Sequence, residues 1–340
     1  MTERLTLEII GELAGVSRAT VSRVVNDSPG VRDEVRERVL AVIQETGYQP
    51  HSAARSLASN RMDLISLVIP TSTQSLFTDP YFPRLIQGVT QSCNENNITM
   101  SLFMLHSEDE EERLYPRVLN RGYVDGVILA SFDRADPLVA RLEQNKMPFI
   151  MIGRPEESSN ASYIDVNNEA GAYAAVTHLV RQGKTRIATI TGRQDISSGK
   201  DRLAGYKRAL IERGLSVDEN LIVNGRFNEL EAYNAMLKLL PHQPDAVFVA
   251  SDGMAYGVLR ALRQANISVP DEIAVVGFDD LPSSATSDPP LTTIRQPIRR
   301  MGAMAVDMLL DIINEGIDPP RRVVLPTELI VRQTCGTLNL

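Results

Sequence analysis

Apolar and polar residues alternate with the period of short helices over the first part of the chain. Gly15 and Val16 form a turn signal, and Ser17 after them is a residue type that favours a helix N-terminus. At about 100° per residue, three valines of the following helix fall on one side and are expected to pack against the preceding helix. The residues of this expected contact are Val21, Val24 and Val25 in the second helix and Ile9, Ile10 and Leu13 in the first.

The other side of the second helix carries arginines, short polar residues and an alanine. Such a face suits the major groove of DNA, because a guanidinium group matches a guanine edge and a small residue allows close approach. An ordinary surface hairpin with solvated arginines is the alternative interpretation of this pattern. The residues expected to contact DNA from this helix are Ser17, Arg18, Ala19, Thr20, Ser22, Arg23 and Asn26.

A third amphipathic helix is predicted over residues 32–45, and its apolar side completes one small core. We therefore expect a helix-turn-helix DNA-binding domain, the headpiece, over residues 1–49. The segment that follows, residues 50–61, is short and alanine-rich, with Leu57 as its one large apolar residue. Isolated helices of that length are marginal in water, so this segment is expected to be a linker or hinge.

From residue 62 onward the pattern changes to strand-length apolar runs that alternate with amphipathic helices. Runs such as residues 64–70 and 126–130 are apolar nearly throughout, which is typical of strands buried on both faces of a parallel sheet. Two such series follow one another, over about residues 62–166 and 167–294. The predicted fold class is α/β, with an all-α headpiece and two doubly wound parallel lobes.

The residues that follow the predicted strands are candidates for a site, because ligands bind beyond the carboxyl ends of parallel strands. They include aromatic rings, an arginine, carboxylates and an amide, which suit a polyhydroxylated ligand. Each has a structural alternative. Asp279 and Asp280 can cap a turn, and Arg202 can pair between helices. Phe227 can be part of the core, and Tyr81 can pack at the edge of a lobe.

Charge gives weaker support for DNA binding than the helical motif does. The chain has a formal net charge of −8, and residues 1–60 hold seven arginines, no lysine and eight Asp or Glu residues. A DNA-binding domain is expected to be basic. We give the motif more weight because the fold can group its arginines on one face. Nonspecific DNA affinity is then expected to be modest and strongly dependent on salt.

Several other classes of protein lack support in the sequence. No apolar run of membrane-spanning length and no signal peptide is visible, so we expect a cytoplasmic protein without membrane contact. Cys93 and Cys335 are far apart and lack the histidine pairs of a zinc site. Nucleotide-binding, hydrolase and metalloprotease motifs are missing, and the adjacent Asp279 and Asp280 do not suit glycoside hydrolysis. We expect no catalysis, no cofactor and no metal.

The N-terminal sequences AGVSRATVSRVVND, VRDEVRERVL, ETGYQP and AARSLAS resemble those of the lactose-repressor (LacI/GalR) family of bacterial transcription factors. The resemblance implies that residues 53–58 form a hinge helix that folds only on DNA. Arg55 is then among the DNA-contacting residues, and Leu57 wedges into the minor groove. The base-reading positions implied by the resemblance are Arg18, Ala19 and Arg23.

The rest of the chain resembles the periplasmic sugar-binding-protein fold, which is the effector domain of the same family. The sequences that carry this resemblance are DPYF, RLAGY, VFVASDGMAYGVLRAL, VVGFDD and PPLTTIRQP. It implies an effector domain over residues 62–340 in which residues 297–330 return to the first lobe. Ser251 departs from the asparagine common there. The implied effector-binding residues are Tyr81, Phe82, Arg154, Arg202, Phe227, Ser251, Asp279 and Gln296.

These observations together predict a ligand-controlled transcriptional regulator that acts as a repressor. A homodimer would place two headpieces on a pseudo-palindromic, double-stranded operator, and a sugar or oligosaccharide between the lobes would control binding. A sugar-binding protein of a transport system is one alternative, although the headpiece argues against it. A sugar-modifying α/β enzyme is the other.

Overall fold

The computed structural model divides into two compact units, residues 1–63 and residues 64–340. Three residues expected to contact DNA, Asn26, Arg55 and Leu57, lie outside the described residues, as does nearly all of the expected linker. The residues that the structure describes are 5–25, 29–48, 61–69, 76, 80–104, 108–120, 122–130, 137–155, 161–316 and 319–336.

The first unit contains three helices, α1 (Leu7–Ala14), α2 (Arg18–Val25) and α3 (Asp33–Thr46). The first ends at Gly15, whose φ of 64° lies in the left-handed region that glycine adopts without steric cost. This turn, followed by Ser17, directs the chain into α2 as the sequence predicted.

The core of the first unit lies between these helices and confirms most of the predicted contact. The buried side chains are Ile10, Ala14, Val21, Val24, Val39 and Tyr48. The prediction for Leu13 was wrong, because 58% of this residue is exposed. Ala14 takes the buried position instead, since it follows Ile10 by about one helical turn and lies on the same face of α1.

The second unit contains two sheets, each with six described strands. In the first, all neighbours are parallel in the order β11-β5-β4-β3-β1-β2. In the second, the order is β12-β10-β9-β8-β6-β7, and only β12 is antiparallel. The first sheet is built from β1 (Leu64–Ile69), β2 (Thr99–Met104), β3 (Gly126–Ala130), β4 (Phe149–Ile152), β5 (Tyr163–Val166) and β11 (Arg322–Leu325). The second is built from β6 (Ile187–Thr191), β7 (Ile222–Asn224), β8 (Ala246–Val249), β9 (Ala274–Asp279), β10 (Thr292–Arg295) and β12 (Glu328–Ile330).

Helices cover both faces of each sheet, and a separate apolar cluster lies on each face. This arrangement confirms the doubly wound α/β prediction for both lobes. The helices of the first lobe are α4 (Tyr81–Glu95), α5 (Glu108–Val118), α6 (Pro137–Gln144) and α11 (Ile298–Glu315). Those of the second are α7 (Asn168–Arg181), α8 (Ser197–Glu212), α9 (Glu229–Leu239) and α10 (Asp252–Gln264).

The described chain crosses between the lobes three times: from β5 to α7, from β10 to α11, and from β11 to β12. Two of the crossings are joined, since the Asn167 N–H donates to the Leu325 carbonyl at 2.9 Å. The sequence placed residues 297–330 in the first lobe. Helix α11 and strand β11 lie there, but β12 pairs with β10 in the second sheet, so the first-lobe segment ends before residue 328.

Helix α11 lies close against α4 because both helices carry a glycine at the contact. A Cβ atom on Gly88 would lie 2.0 Å from the Arg299 carbonyl oxygen, and one on Gly302 would lie 2.6 Å from the Leu85 carbonyl oxygen. No larger residue fits at either position without moving a helix. Within the described part of the chain, no helix is long and apolar enough to cross a membrane.

Candidate functional site

Helix α2 presents the predicted DNA-contacting face from a capped N-terminus. The Thr20 N–H donates to Ser17 Oγ at 3.2 Å, and the hydroxyls of Ser17 and Thr20 lie 2.9 Å apart. These bonds satisfy a backbone donor that a helix start leaves unpaired. Arg18, Ala19 and Arg23 are exposed, and Ser22 is half-buried.

In the first unit, Arg18 forms an ion pair with Glu8, with a distance of 2.9 Å between Nε and Oε1. Both side chains are well exposed, at 68% and 55%. Sequence analysis did not identify this pair, nor the role of Gly11. A Cβ atom on Gly11 would lie 2.8 Å from the Val16 carbonyl oxygen, so glycine is required where α1 meets the turn.

In the second unit, Arg202 is the centre of a polar cluster at the carboxyl ends of the second-lobe strands. Only 5% of this residue is exposed. Its Nε donates to Asn168 Oδ1 at 2.9 Å and its Nη1 donates to the Ala250 carbonyl at 2.5 Å. The guanidinium carbon also lies 3.7 Å from the centre of the Phe278 ring. The guanidinium group is therefore fixed by hydrogen bonds at its edge and by a ring on its face.

Asp279, the last residue of β9, is the carboxylate nearest to this guanidinium. Its Oδ1 lies 3.7 Å from Arg202 Nη1 and accepts a hydrogen bond from Gln296 Nε2 at 2.5 Å. Asp279 and Asp280 have φ values of 131° and 55°. Such angles are costly for residues with a Cβ atom and concentrate at functional sites.

Burial and neighbouring groups act in opposite directions on Arg202. Burial lowers the pKa of Arg202 from its usual value, and Asp279, followed by Tyr81, partly offsets this shift. The ion-pair alternative for Arg202 is thus partly realised, since Arg202 pairs with Asp279 at the end of a strand and not with a residue of another helix.

Phe227 is a second ring near the guanidinium, with its ring centre 5.7 Å from the Arg202 guanidinium carbon. A turn positions it: the Asn228 N–H donates to the Gly225 carbonyl at 2.8 Å, and Arg226 and Phe227 have φ values of 52° and 58°. The ring covers Gly192, where a Cβ atom would lie 2.0 Å from the Phe227 ring. Phe227 is half-buried, so it is not a simple core residue.

Residues of the first lobe approach this cluster from the start of α4. The rings of Tyr81 and Phe82 are half-buried and meet edge to face, with centres 5.4 Å apart. Tyr81 is near enough to Arg202 to influence its pKa. Pro80 lies 3.9 Å from the position that a Cβ atom of Gly253 would take, so the lobes approach each other here.

An ion pair joins the two lobes directly. Arg154 follows β4 in the first lobe, and its Nη2 lies 2.7 Å from both carboxylate oxygens of Asp201 in α8. The hydrogen bond to Asp201 raises the pKa of Arg154. Ser251 has a structural role in this state, because it caps α10 by accepting a hydrogen bond from the Met254 N–H at 3.3 Å.

The structure therefore brings Arg202, Phe227, Asp279 and Gln296 into one cluster, with Tyr81 of the first lobe nearby. Arg154 joins the lobes through Asp201, Phe82 packs against Tyr81, and Ser251 begins the helix that follows β8. Sequence analysis did not identify three of their supporting neighbours, namely Asp165, Asn168 and Phe278. The first lies within the short strand β5 and the second just after it, and the carboxyl end of this strand was not searched. In the described residues, no group of three or more His, Cys, Asp or Glu side chains could hold a metal ion.

Comparison with known proteins identifies the class. The family described as bacterial regulatory proteins, lacI family, matches residues 6–51, and a periplasmic binding protein-like domain matches residues 176–335. The chain is 40% identical to the HTH-type transcriptional regulator CelR of Thermobifida fusca over 335 residues, covering 97% of this chain and 98% of that one. It is 34% identical to the HTH-type transcriptional repressor PurR of Vibrio campbellii, with 98% and 99% covered.

Solved structures agree with this result. A CelR–cellobiose complex matches with a TM-score of 0.78 and 38% identity, covering 97% of this chain and all of that one. A lac repressor dimer bound to operator and the anti-inducer ONPF matches with a TM-score of 0.85 and 28% identity, covering 98% and 99%. The chain belongs to the LacI family. It is a DNA-binding transcriptional regulator with a periplasmic-binding-protein-like effector domain, as the sequence predicted.

Proposed function

We propose that this regulator represses transcription as a cytoplasmic homodimer on a pseudo-palindromic operator, and that a glucose disaccharide bound between the lobes controls its affinity for DNA. In this proposal, α2 reads base edges through Arg18, Ala19 and Arg23. The eight predicted effector residues bind the sugar.

The observation that carries the proposal is the arrangement of Arg202 and Asp279 beside aromatic rings. A carboxylate accepts hydrogen bonds from sugar hydroxyls, and a guanidinium group donates to their oxygens. The rings of Phe227, Tyr81 and Phe82 offer apolar faces that suit the C–H faces of a pyranose. The match to a regulator solved with cellobiose supports a β-linked disaccharide as the first candidate.

Control of DNA binding would follow from closure of the lobes. A sugar that contacts Arg202 and Asp279 in one lobe and Tyr81 in the other binds best when the lobes are closed. Binding therefore shifts the population towards the closed state. By linkage, a ligand that changes operator affinity has its own affinity changed by the operator to the same extent.

Thermal unfolding of the full chain with cellobiose, cellotriose, lactose and glucose tests the sugar assignment. A disaccharide present at about 100 times its dissociation constant should stabilise the protein by about 2.7 kcal/mol. Gel shifts on a palindromic DNA pool, with and without the same sugars, test the link to DNA. Specific DNA binding that no carbohydrate alters would contradict the effector assignment and leave the DNA-binding function intact.

A further inference from the structure

Two buried polar residues stand on either side of the first crossing between the lobes. Asp165 belongs to β5 in the first lobe, and Asn168 is the first residue of α7 in the second. They are 5% and 1% exposed. Asn168 Nδ2 donates to Asp165 Oδ1 at 3.0 Å and to the Val166 carbonyl at 3.2 Å. A side-chain hydrogen bond thus spans the first crossing between the lobes.

The same amide holds the central arginine of the cleft. Asn168 Oδ1 accepts from Arg202 Nε at 2.9 Å. Only one orientation of the amide fits. If it were flipped, its oxygen would face the carboxylate and a carbonyl, and its NH₂ group would face the Nε–H of Arg202. Asp165 therefore fixes the orientation of Asn168, and Asn168 in turn fixes the direction of Arg202.

Asp165 is itself held firmly on the first-lobe side. Its Oδ1 also accepts from the Val166 N–H at 2.7 Å, and its Oδ2 accepts from the Arg154 N–H at 3.1 Å. Burial raises the pKa of Asp165, whereas these two backbone hydrogen bonds and the charge of Arg202 lower it. Through Arg154, the carboxylate is also linked to the ion pair with Asp201 that joins the lobes.

We propose that Asp165 and Asn168 are positioning residues that aim Arg202 into the cleft and couple its orientation to the angle between the lobes. Neither is required to touch the effector. A rotation at the first crossing moves Asp165 with one lobe and Arg202 with the other, and Asn168 connects them. This inference rests on the proposed function only in that Arg202 is the group that binds the effector.

The chain offers a matched control at the neighbouring residue. Asn167 is exposed and caps α7 by accepting from the Ala170 N–H at 3.0 Å. The Asn167→Ala variant removes a side-chain amide from the same crossing and removes a helix cap, but it leaves Asn168 and Arg202 untouched. A role for Asn168 confined to the stability of the crossing would lower the melting temperature but leave sugar affinity as in Asn167→Ala.

The decisive measurement needs no ligand. In the full-length protein labelled with ¹⁵N-arginine, the Nε–H signal of Arg202 is identified by its loss in Arg202→Lys, and its hydrogen exchange is followed. We expect exchange at least tenfold faster in Asn168→Ala and in Asp165→Asn, and unchanged exchange in Asn167→Ala. Asp165→Asn keeps the shape of the side chain and provides the test if Asn168→Ala does not fold.

Sugar binding supplies a second readout, with cellobiose as the probe. Affinity should fall at least tenfold in Asn168→Ala and in Asp165→Asn, and the double variant should lose little more than either single variant, because the two residues act in series. Unchanged exchange at Arg202 in both single variants would overturn the positioning role. Failure of the wild type to bind any sugar would contradict the proposed function, while the exchange result would still decide the positioning role.

Discussion

Arg18 in the first unit and Arg202 in the second differ in the exposure of their guanidinium groups and in the number of groups that contact them. Arg18 lies on an exposed helix face with a single carboxylate partner, Glu8, which is also exposed. Arg202 is buried and contacts an amide, a backbone carbonyl, a carboxylate and two rings. In the proposed function, the first arrangement would let the guanidinium exchange its exposed partner for a group on DNA. The second fixes the guanidinium in advance, so that the proposed ligand would meet a group already fixed in direction.

The largest expected effect is on sugar affinity, and it tests the preorganised arginine, Arg202, through its carboxylate partner. Asp279→Ala removes a carboxylate that should accept from two sugar hydroxyls at about 1.5–3 kcal/mol each. Sugar affinity measured by calorimetry should therefore fall at least tenfold, since about 1.4 kcal/mol is a factor of ten. Unfolding without sugar should also become easier, because Arg202 loses its nearest carboxylate.

The adjacent aspartate provides the control for this variant. Asp280 pairs with Arg295 and Arg332, not with Arg202. Asp280→Ala should destabilise the protein while leaving sugar affinity within about twofold. Operator binding without ligand should survive in both variants. Wild-type sugar affinity in Asp279→Ala would contradict the assignment of the cleft.

The exposed side of the comparison is tested by Arg18→Ala. Loss of a guanidinium that contacts a base edge should cost about 1–3 kcal/mol of operator affinity and relax the preference at one base position. Fluorescence anisotropy with operator DNA and with random DNA measures the loss of affinity and the relaxed base preference. Arg38→Ala, which removes an exposed arginine from α3, is the control. An equal loss on both DNAs would mean that Arg18 contacts phosphates only.

A smaller effect is expected for the ion pair between the lobes. Arg154 and Asp201 are partly exposed, so a double-mutant cycle on the free energy of unfolding should give a coupling of about 1 kcal/mol. The pair Arg260–Glu229 joins two helices inside the second lobe and serves as the comparison. Sugar should change the coupling of the first pair and leave that of the second unaltered. No change in either would show that closure does not involve Arg154.

The smallest effect belongs to Glu8→Gln. Removal of an exposed acidic partner frees Arg18 and makes the first unit less negative, so affinity for random DNA should rise by a few tenths of a kcal/mol and fade with added salt. The melting temperature should barely change. Weaker DNA binding in this variant would mean that Glu8 orients Arg18 for the groove.

The difference between the two regions also explains how much could be predicted from sequence. The polar face of α2 is local, so helical periodicity places Ser17, Arg18 and Arg23 without knowledge of the fold. The effector residues come from many separate segments. The carboxyl ends of buried strands located most of them, since those strands are continuous apolar runs. Their contact with one another depends on the sheet order, which the sequence pattern does not contain.

The residues and strands that sequence analysis did not identify lie where the pattern of apolar residues is short or ambiguous. Asp165 lies within β5 and Asn168 two residues after it; the strand is only four residues long and contains a charged residue, so its carboxyl end gave a weak signal. Strands β10 and β12 were not predicted either, because two threonines begin the first and only three residues form the second. Leu13 was assigned to the core because helical spacing allows two inward positions, and the smaller Ala14 occupies the one that is buried.

The three crossings have a consequence for synthesis of the chain on the ribosome. The first lobe is interrupted: β1 to β5 emerge early, but α11, which packs on α4 through Gly88 and Gly302, emerges only after residues 167–295. At about 5–20 residues per second, this delay is on the order of ten seconds. The second lobe is continuous apart from its edge strand β12. The second lobe can therefore complete its core while the first still lacks α11 and leaves the apolar side of α4 uncovered. We accordingly expect the second lobe to finish folding first, in the reverse of the order of synthesis.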